Sequence, residues 1–370
     1  MEIKKSAVES MVNINSDFWN KKKVFISGNT GFKGSWLSFW LQKMGAEVIG
    51  YALPPEKGNN LFKSLNLENS TNCIFGDIRD RDFFLKSIKE SDCEIAFHLA
   101  AQALVKKSYI NPYETYSTNI MGTVNFFDGI KECKHISAAI NVTSDKCYEN
   151  RDEVLSFNED APLGGSDPYS NSKGCSELIT SCYRDSFFDS KNSSYKDIKL
   201  ASVRAGNVIG GGDWSSDRLI PDLIINFLKG EKPIIRYPKA VRPWQFVLEP
   251  LHGYLVLAEK LFFSKNEDFS GAWNFGSQEE NIKTVEWIAD YLKSIWPSNV
   301  DWELDQSQHP YEASYLSLDC TKAKDKLNWS TRMSIEETLN ELMEWYIAFE
   351  KGKHIEDLTN KQIDKYLNKF

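Results

Sequence analysis

Nowhere in this 370-residue chain is there an apolar run approaching the roughly eighteen residues that cross a bilayer as a helix. Nor is there a surplus of positive charge. Lys and Arg number 44 against 52 Asp and Glu, a net charge of -8. That balance argues against a nucleic-acid surface and gives no attraction to anionic membranes. The seven cysteines are odd in number, scattered and never spaced as CxxC. They read as reduced thiols of a cytoplasmic protein. No His/Cys/Asp cluster has metal-ligand spacing, so no metal is expected. Internal repeats are absent as well. Met1 to Asp17 holds lysines but neither an apolar core nor a small-residue cleavage site, so no secretory leader is expected there.

What the chain does have is rhythm. Strand-like runs occur at Lys23–Ser27, Glu47–Tyr51, Asn72–Phe75, Ile95–Leu99, Ala138–Val142 and Leu200–Arg204. Helical patterns lie between them, notably Gly34–Met44, Tyr113–Lys131 and Pro168–Phe188. Strands alternating with helices predict an α/β fold, a doubly wound parallel sheet of Rossmann type. After about Gly206 the rhythm gives way to clusters of Gly, Trp and Pro, then to shorter elements. Ser334–Glu337 has the form of a capping box that opens a helix to Glu350. The expected division is residues 18–206 as a dinucleotide-binding domain, 207–356 as a smaller C-terminal α/β substrate lobe, and 357–370 as a tail. The chain is free to cross back between the first two. Asp189–Lys196 reads as a surface loop.

Gly28, Thr30, Gly31, Phe32 and Gly34 fall in a glycine turn, Gly28-Asn29-Thr30-Gly31-Phe32-Lys33-Gly34, between the first strand and the first helix. Glycines there allow a tight turn and a close approach of backbone to a pyrophosphate, and the helix start offers free N–H groups to the anion. A simple turn is the alternative, and the βαβ context disfavours it.

Two further pieces carry chemistry. Ser144-Asp145-Lys146 directly follows the fifth strand, and Tyr169 precedes Lys173 by four residues, on one helix face. Asp167 and Pro168 make a good helix start, as N-cap and first helical residue. A phenol normally has a pKa of about 10. A nearby ammonium and the positively charged nicotinamide of a bound dinucleotide should together lower it, letting Tyr169 take a hydroxyl proton that Ser144 helps to hold. Asp145 and Lys146 add an acid and a base, which elimination beside a ketone requires. The bland alternatives are a solvated Tyr/Lys face and an ion pair that only organises the strand end. Cys147 and Cys175 read as small packing residues.

The G-x-x-G-x-x-G spacing resembles the extended short-chain dehydrogenase/reductase superfamily. The resemblance implies that Asp77 and Ile78 meet adenine, and that Leu99, Ala100 and Ala101 lie beside the nicotinamide ribose together with Tyr169 and Lys173. It also implies that Asn119 is the superfamily's helix asparagine. One departure is the second strand end, Gly50–Pro54, which has no acid for a ribose 2'-hydroxyl. NAD is the cofactor implied, with Lys33 leaving NADP open. More closely, Gly31–Leu37, Asn141–Asn150, Arg204–Trp214, Asp217–Asp222 and Arg242–Gln245 resemble the nucleotide-sugar 4,6-dehydratases. Lys146, where most of that family carry glutamate, is similar to the group acting on CDP-glucose. This implies oxidation at carbon 4, loss of water across carbons 5 and 6, and reduction at carbon 6. It further implies Gln102, Ser144, Asn207, Arg218, Arg242 and Tyr311 on the substrate side, with the arginines on a diphosphate. A homodimer through the helices of Asn119 and Tyr169 is implied too. Trp214 and Trp244 are expected to pack, and His98 to be structural. A 4-epimerase on another nucleotide hexose and a non-catalytic dinucleotide-binding regulator stay open as rival readings.

Overall fold

A computed structural model describes residues 14–150, 156–188, 197–264, 269–307 and 316–369. Seven parallel strands form one sheet: β1 Lys23–Ser27, β2 Glu47–Ala52, β3 Asn72–Phe75, β4 Ile95–His98, β5 Ala138–Val142, β6 Lys199–Arg204 and β7 Gly271–Asn274. Their spatial order is β7-β6-β5-β4-β1-β2-β3. The order reverses between β1 and β4, and the ends of these two strands therefore flank the crevice where such folds bind ligands.

Alternation along each strand divides the core between two faces. Val24, Ile26, Val48, Phe97, Ile140 and Val203 belong to one cluster. Phe25, Ile49, Ala96, Ala139 and Leu200, from the alternate positions of the same strands, belong to the other. Both faces are covered, so the strands read as apolar runs without polar alternation. Helix α1 (Phe32–Lys43) is buried from Gly34 to Leu41 and lies under the first cluster. Helices α2 (Arg81–Glu90), α3 (Gly122–Lys131) and α4 (Pro168–Tyr183) bring Phe84, Ile88, Phe126, Phe127 and Ile179 to the second.

The expected boundaries shift by one or two residues, with two real differences. The pattern 113–131 is interrupted by a π-helical turn, Ser117–Met121, between Pro112–Tyr116 and α3. Helix α4 likewise ends in a π-helical turn, Arg184–Phe188. A one-residue excess per turn is invisible to a 3.6-residue pattern. The loop expected at 189–196 lies outside the described residues.

Beyond β6 the chain makes two-stranded ribbons and helices α5 (Leu219–Lys229), α6 (Leu248–Phe263), α7 (Ile335–Glu350) and α8 (Ile355–Leu367). Between α6 and α7, strand β7 returns to the edge of the main sheet beside β6. The Ser334/Glu337 capping box is present at the start of α7. In α8, Tyr366 is buried and donates to Glu249 Oε2 at 2.7 Å, which docks the tail onto α6. No helix among the described residues is long and apolar enough to cross a membrane.

Candidate active site

The glycine turn closes the end of β1. Gly28 has φ of +79°, and a Cβ there would lie 2.6 Å from the Ala100 backbone nitrogen. A Cβ on Gly34 would lie 2.1 Å from the Gly28 carbonyl oxygen. Both positions therefore exclude any side chain. Leu99 and Ala100 are drawn to the turn by hydrogen bonds to Ser27 O (2.9 Å) and Ser27 Oγ (3.3 Å). The N-cap of α1 is Gly31, with no side-chain cap and no acid in the first turn. That leaves its N–H groups and the helix dipole open to an anion, which fits a pyrophosphate. Thr30 Oγ1 donates to Leu53 O (3.0 Å) at the end of β2.

Across the crevice, β5 ends at Val142 and runs into a 3₁₀ turn, Asp145–Cys147, with Ser144 as its N-cap. Ser144 Oγ donates to Asp145 Oδ1 (2.9 Å) and accepts from Lys146 N (3.2 Å). Asp167 caps α4 by accepting from Ser170 N (2.9 Å), with Pro168 in the first position. This start sets Tyr169 and Lys173 on the first turns. Lys173 Nζ reaches Val142 O (3.2 Å) and ties the helix to the strand end. Ser144, Asp145, Tyr169 and Lys173 are all buried, and Lys146 is half-buried.

Burial sets the acidities here. It raises Asp145 above the usual carboxylate value, against the pull of Lys146, Ser144 and Lys33. It pushes Lys173 down to about 8, with Glu177 opposing. It also pushes Tyr169 up to about 12, the Ser144 hydroxyl opposing. The phenol was expected below its ordinary value. In the protein alone, desolvation outweighs its polar neighbours.

Sequence reasoning missed the support behind this turn. Glu177 and Arg204 form a buried ion pair at 2.9 Å, each side chain 3% exposed. Glu177 also accepts from Thr143 Oγ1 and from Ser202 Oγ (2.6 Å). Arg204 donates to Tyr148 OH (2.6 Å) and Glu159 O (3.0 Å). The network thus holds residues on both sides of Ser144–Cys147. A signal was present: Glu177 stands four residues after Lys173, on the same helix face.

Lys33 was weighed only as a cofactor-side cation. It is half-buried and pushed down to about 8 by burial and by Lys173 and Arg218, with Asp145 opposing. Those neighbours place it with the strand-end group.

The remaining predicted residues divide. Arg218 pairs with Asp213 (3.0 Å), and its charge is felt at Tyr169. Asn207 adopts φ of +39°, and its carbonyl accepts from Gln245 N (3.2 Å). Arg242 stands half-buried on the ribbon strand Val241–Pro243, with Nη1 donating to Val241 O (2.9 Å). Ala101 is half-buried after β4, between Ala100 and Gln102. Gln102 does not offer its amide to the crevice. The carboxamide is bonded to Leu104 N (2.7 Å), Leu104 O (3.0 Å) and Thr115 Oγ1 (2.9 Å). Its backbone is clamped by Asn119, which also donates to Ser172 Oγ (2.8 Å). Asp77 is paired with Arg79 (2.5 Å), and Ile78 packs over Gly122. Tyr311, with the segment 309–313, lies outside the described residues. His98 is buried against Phe126 and bonded to Ser27 Oγ (2.7 Å), as a structural residue would be. Trp214 packs on Tyr346 and Phe349, and Trp244 is buried. Burial raises the Cys147 thiol well above its usual value, which makes it a poor nucleophile.

Comparison with known proteins adds four findings. The family model for GDP-mannose 4,6 dehydratase matches residues 25–342. The CDP-glucose 4,6-dehydratase of Salmonella typhimurium is 48% identical over 355 residues, covering 96% of this chain and 99% of that one. Among solved structures, a UDP-glucose 4-epimerase with UDP-glucose from Thermotoga maritima superposes with a TM-score of 0.75 at 23% identity, covering 88% and 99% of the two chains. A dTDP-glucose 4,6-dehydratase from Bacillus anthracis in complex with NAD does so with 0.69 at 22%, covering 89% and 98%. At such identities the structural likeness speaks for the fold alone.

Proposed function

The chain belongs to the GDP-mannose 4,6-dehydratase family, and from that premise we propose that it is an NAD-dependent CDP-glucose 4,6-dehydratase. The product is CDP-4-dehydro-6-deoxy-glucose. One observation carries the reading: a buried carboxyl whose pKa is raised by burial, Asp145, sits hydrogen-bonded to Ser144 beside the Tyr169/Lys173 pair. An epimerase has no use for that acid. The 48% identity to the Salmonella enzyme supports CDP-glucose as the substrate.

NAD, when bound across the glycine turn, supplies a reversible redox couple and a positive ring beside the phenol. Gly28, Gly31 and Gly34 let the backbone approach its pyrophosphate, with Thr30 and Phe32 at the same turn. Asp77 and Ile78 are assigned to the adenine end, and Leu99 to Ala101 to the nicotinamide ribose. Ser144 holds the carbon-4 hydroxyl, and Tyr169 takes its proton. Lys173 stabilises the phenolate that must form. Once carbon 4 is a ketone, Lys146 removes the acidified carbon-5 proton. Asp145 then protonates the carbon-6 hydroxyl as it leaves. Carbon 6 finally accepts the hydride withdrawn from carbon 4 while Lys146 returns the proton to carbon 5, so the redox state of the enzyme is restored. Arg218 and Arg242 are assigned to the diphosphate, and Asn207 and Tyr311 to the sugar and nucleotide. Residues 18–206 serve mainly the cofactor and 207–356 mainly the substrate.

The chain works as a cytoplasmic homodimer in this reading. Support comes from Ile110, Tyr113, Met121 and Leu178, which are 52–81% exposed on the helices around Asn119 and α4. All seven cysteines are free thiols. A screen of CDP-, UDP-, dTDP- and GDP-glucose with NAD tests the assignment. Keto-sugar from CDP-glucose without accumulating NADH is expected. Preference for another nucleotide, or net NADH, overturns it.

A further inference from the structure

Gly206 follows β6 and lies beside the catalytic turn. Its backbone does not need glycine, because its φ lies outside the left-handed range. Space is what it provides. A Cβ there would lie 2.0 Å from Asp145 Oδ2, 2.5 Å from Asp145 Cγ and 3.2 Å from Asp145 Cβ. All three nearest atoms belong to that one side chain. The segment is fixed from both sides. Asp145 N donates to Ala205 O (3.4 Å), and Gln245 Nε2 donates to Gly206 O (3.0 Å) and Phe275 O (2.9 Å). The backbone at 206 is therefore anchored, and the Asp145 carboxyl rests directly on its α-carbon.

We propose that Gly206 is a positioning residue for the elimination step: its missing side chain is the notch that seats the Asp145 carboxyl against Ser144. The inference rests on the functional reading above. An alanine would meet one short side chain and no backbone among its nearest atoms, so the fold itself need not fail. The carboxyl must rotate away, which breaks its hydrogen bond with Ser144 Oγ. A misplacement of about 1 Å at a reacting group can cost on the order of 100-fold in rate.

The test uses the full-length holoenzyme. Gly206→Ala is expected to oxidise carbon 4 of CDP-glucose at near the wild-type rate in a single turnover. Product formation should slow by about 100-fold, leaving bound NADH standing. Added to Asp145→Ala, the same substitution should change the residual elimination by less than about 2-fold, because the group it acts through is gone. A crystal structure of Gly206→Ala should show the Asp145 carboxyl displaced from Ser144. Wild-type product formation by Gly206→Ala, an equal loss in the Asp145→Ala background, or an unmoved Asp145 carboxyl would each overturn the proposal. If the wild type converts no nucleotide sugar, the functional reading fails, while the crystallographic arm still decides whether Gly206 seats Asp145.

Discussion

Replacing Glu177 by glutamine removes one charge from behind the catalytic turn and leaves the shape nearly unchanged. Arg204 would keep Tyr148 OH and Glu159 O as acceptors, but its charge would be left 3% exposed without its directly bonded carboxylate. Breaking a buried pair from one side costs about 3–5 kcal/mol. An unfolding entropy of about 2.1 cal/mol/K per residue gives about 0.8 kcal/mol/K for a chain of this length. The melting temperature should therefore fall by about 4–6 °C. The same substitution acts on Lys173, because Glu177 holds the ammonium up against desolvation. Without it, Lys173 drops below about 8 and deprotonates earlier as pH rises. The alkaline limb of the pH–rate profile should move to lower pH. Scanning calorimetry and a pH–rate profile read the two effects. Glu303→Gln, which breaks an exposed pair with Lys232, serves as control and should shift melting by less than about 1 °C. A Glu177→Gln melting point within about 1 °C of wild type, or an unmoved alkaline limb, would refute the reasoning.

Other outcomes follow from the same geometry. Tyr169→Phe should lower kcat by about 100- to 10,000-fold while nucleotide-sugar binding, read by calorimetry, persists. Gly28→Ala should abolish NAD retention, because its Cβ meets the Ala100 backbone at a positive φ; the bound nicotinamide content of the purified protein checks this. Glu249 is pushed up from 4.5 to about 7 by burial, although Arg332 N, Met333 N and Tyr366 OH donate to it. The folded state then holds a proton that the unfolded state releases, so stability should fall as pH rises from about 4.5 to about 7. Glu249→Gln should flatten that slope in melting scans. Part of it should persist, because Glu259 is raised to about 7 as well.

The sheet was legible because β1, β4 and β5 are short, mostly apolar runs covered on both faces. The Ser144–Lys146 and Tyr169–Lys173 pieces were legible because each has a local spacing that fixes which side chains share a face. What escaped was long-range. Arg204 and Glu177 are 27 residues apart and meet only because β6 lies beside α4. Gln102 is a substrate residue by resemblance, yet its amide is consumed by Leu104 and Thr115. The acidity of Tyr169 depends on how deeply α4 buries it, which no spacing records. The fit of Gly206 to Asp145 likewise needs three dimensions, since a glycine without positive φ leaves no mark on a turn pattern.

The most direct test of the account follows deuterium from carbon 4 of CDP-glucose. With wild-type protein and NAD, the label should appear at carbon 6 of a CDP-4-dehydro-6-deoxy sugar, with no NADH released. Label remaining at carbon 4 of a recovered hexose, or leaving with free NADH, would contradict it.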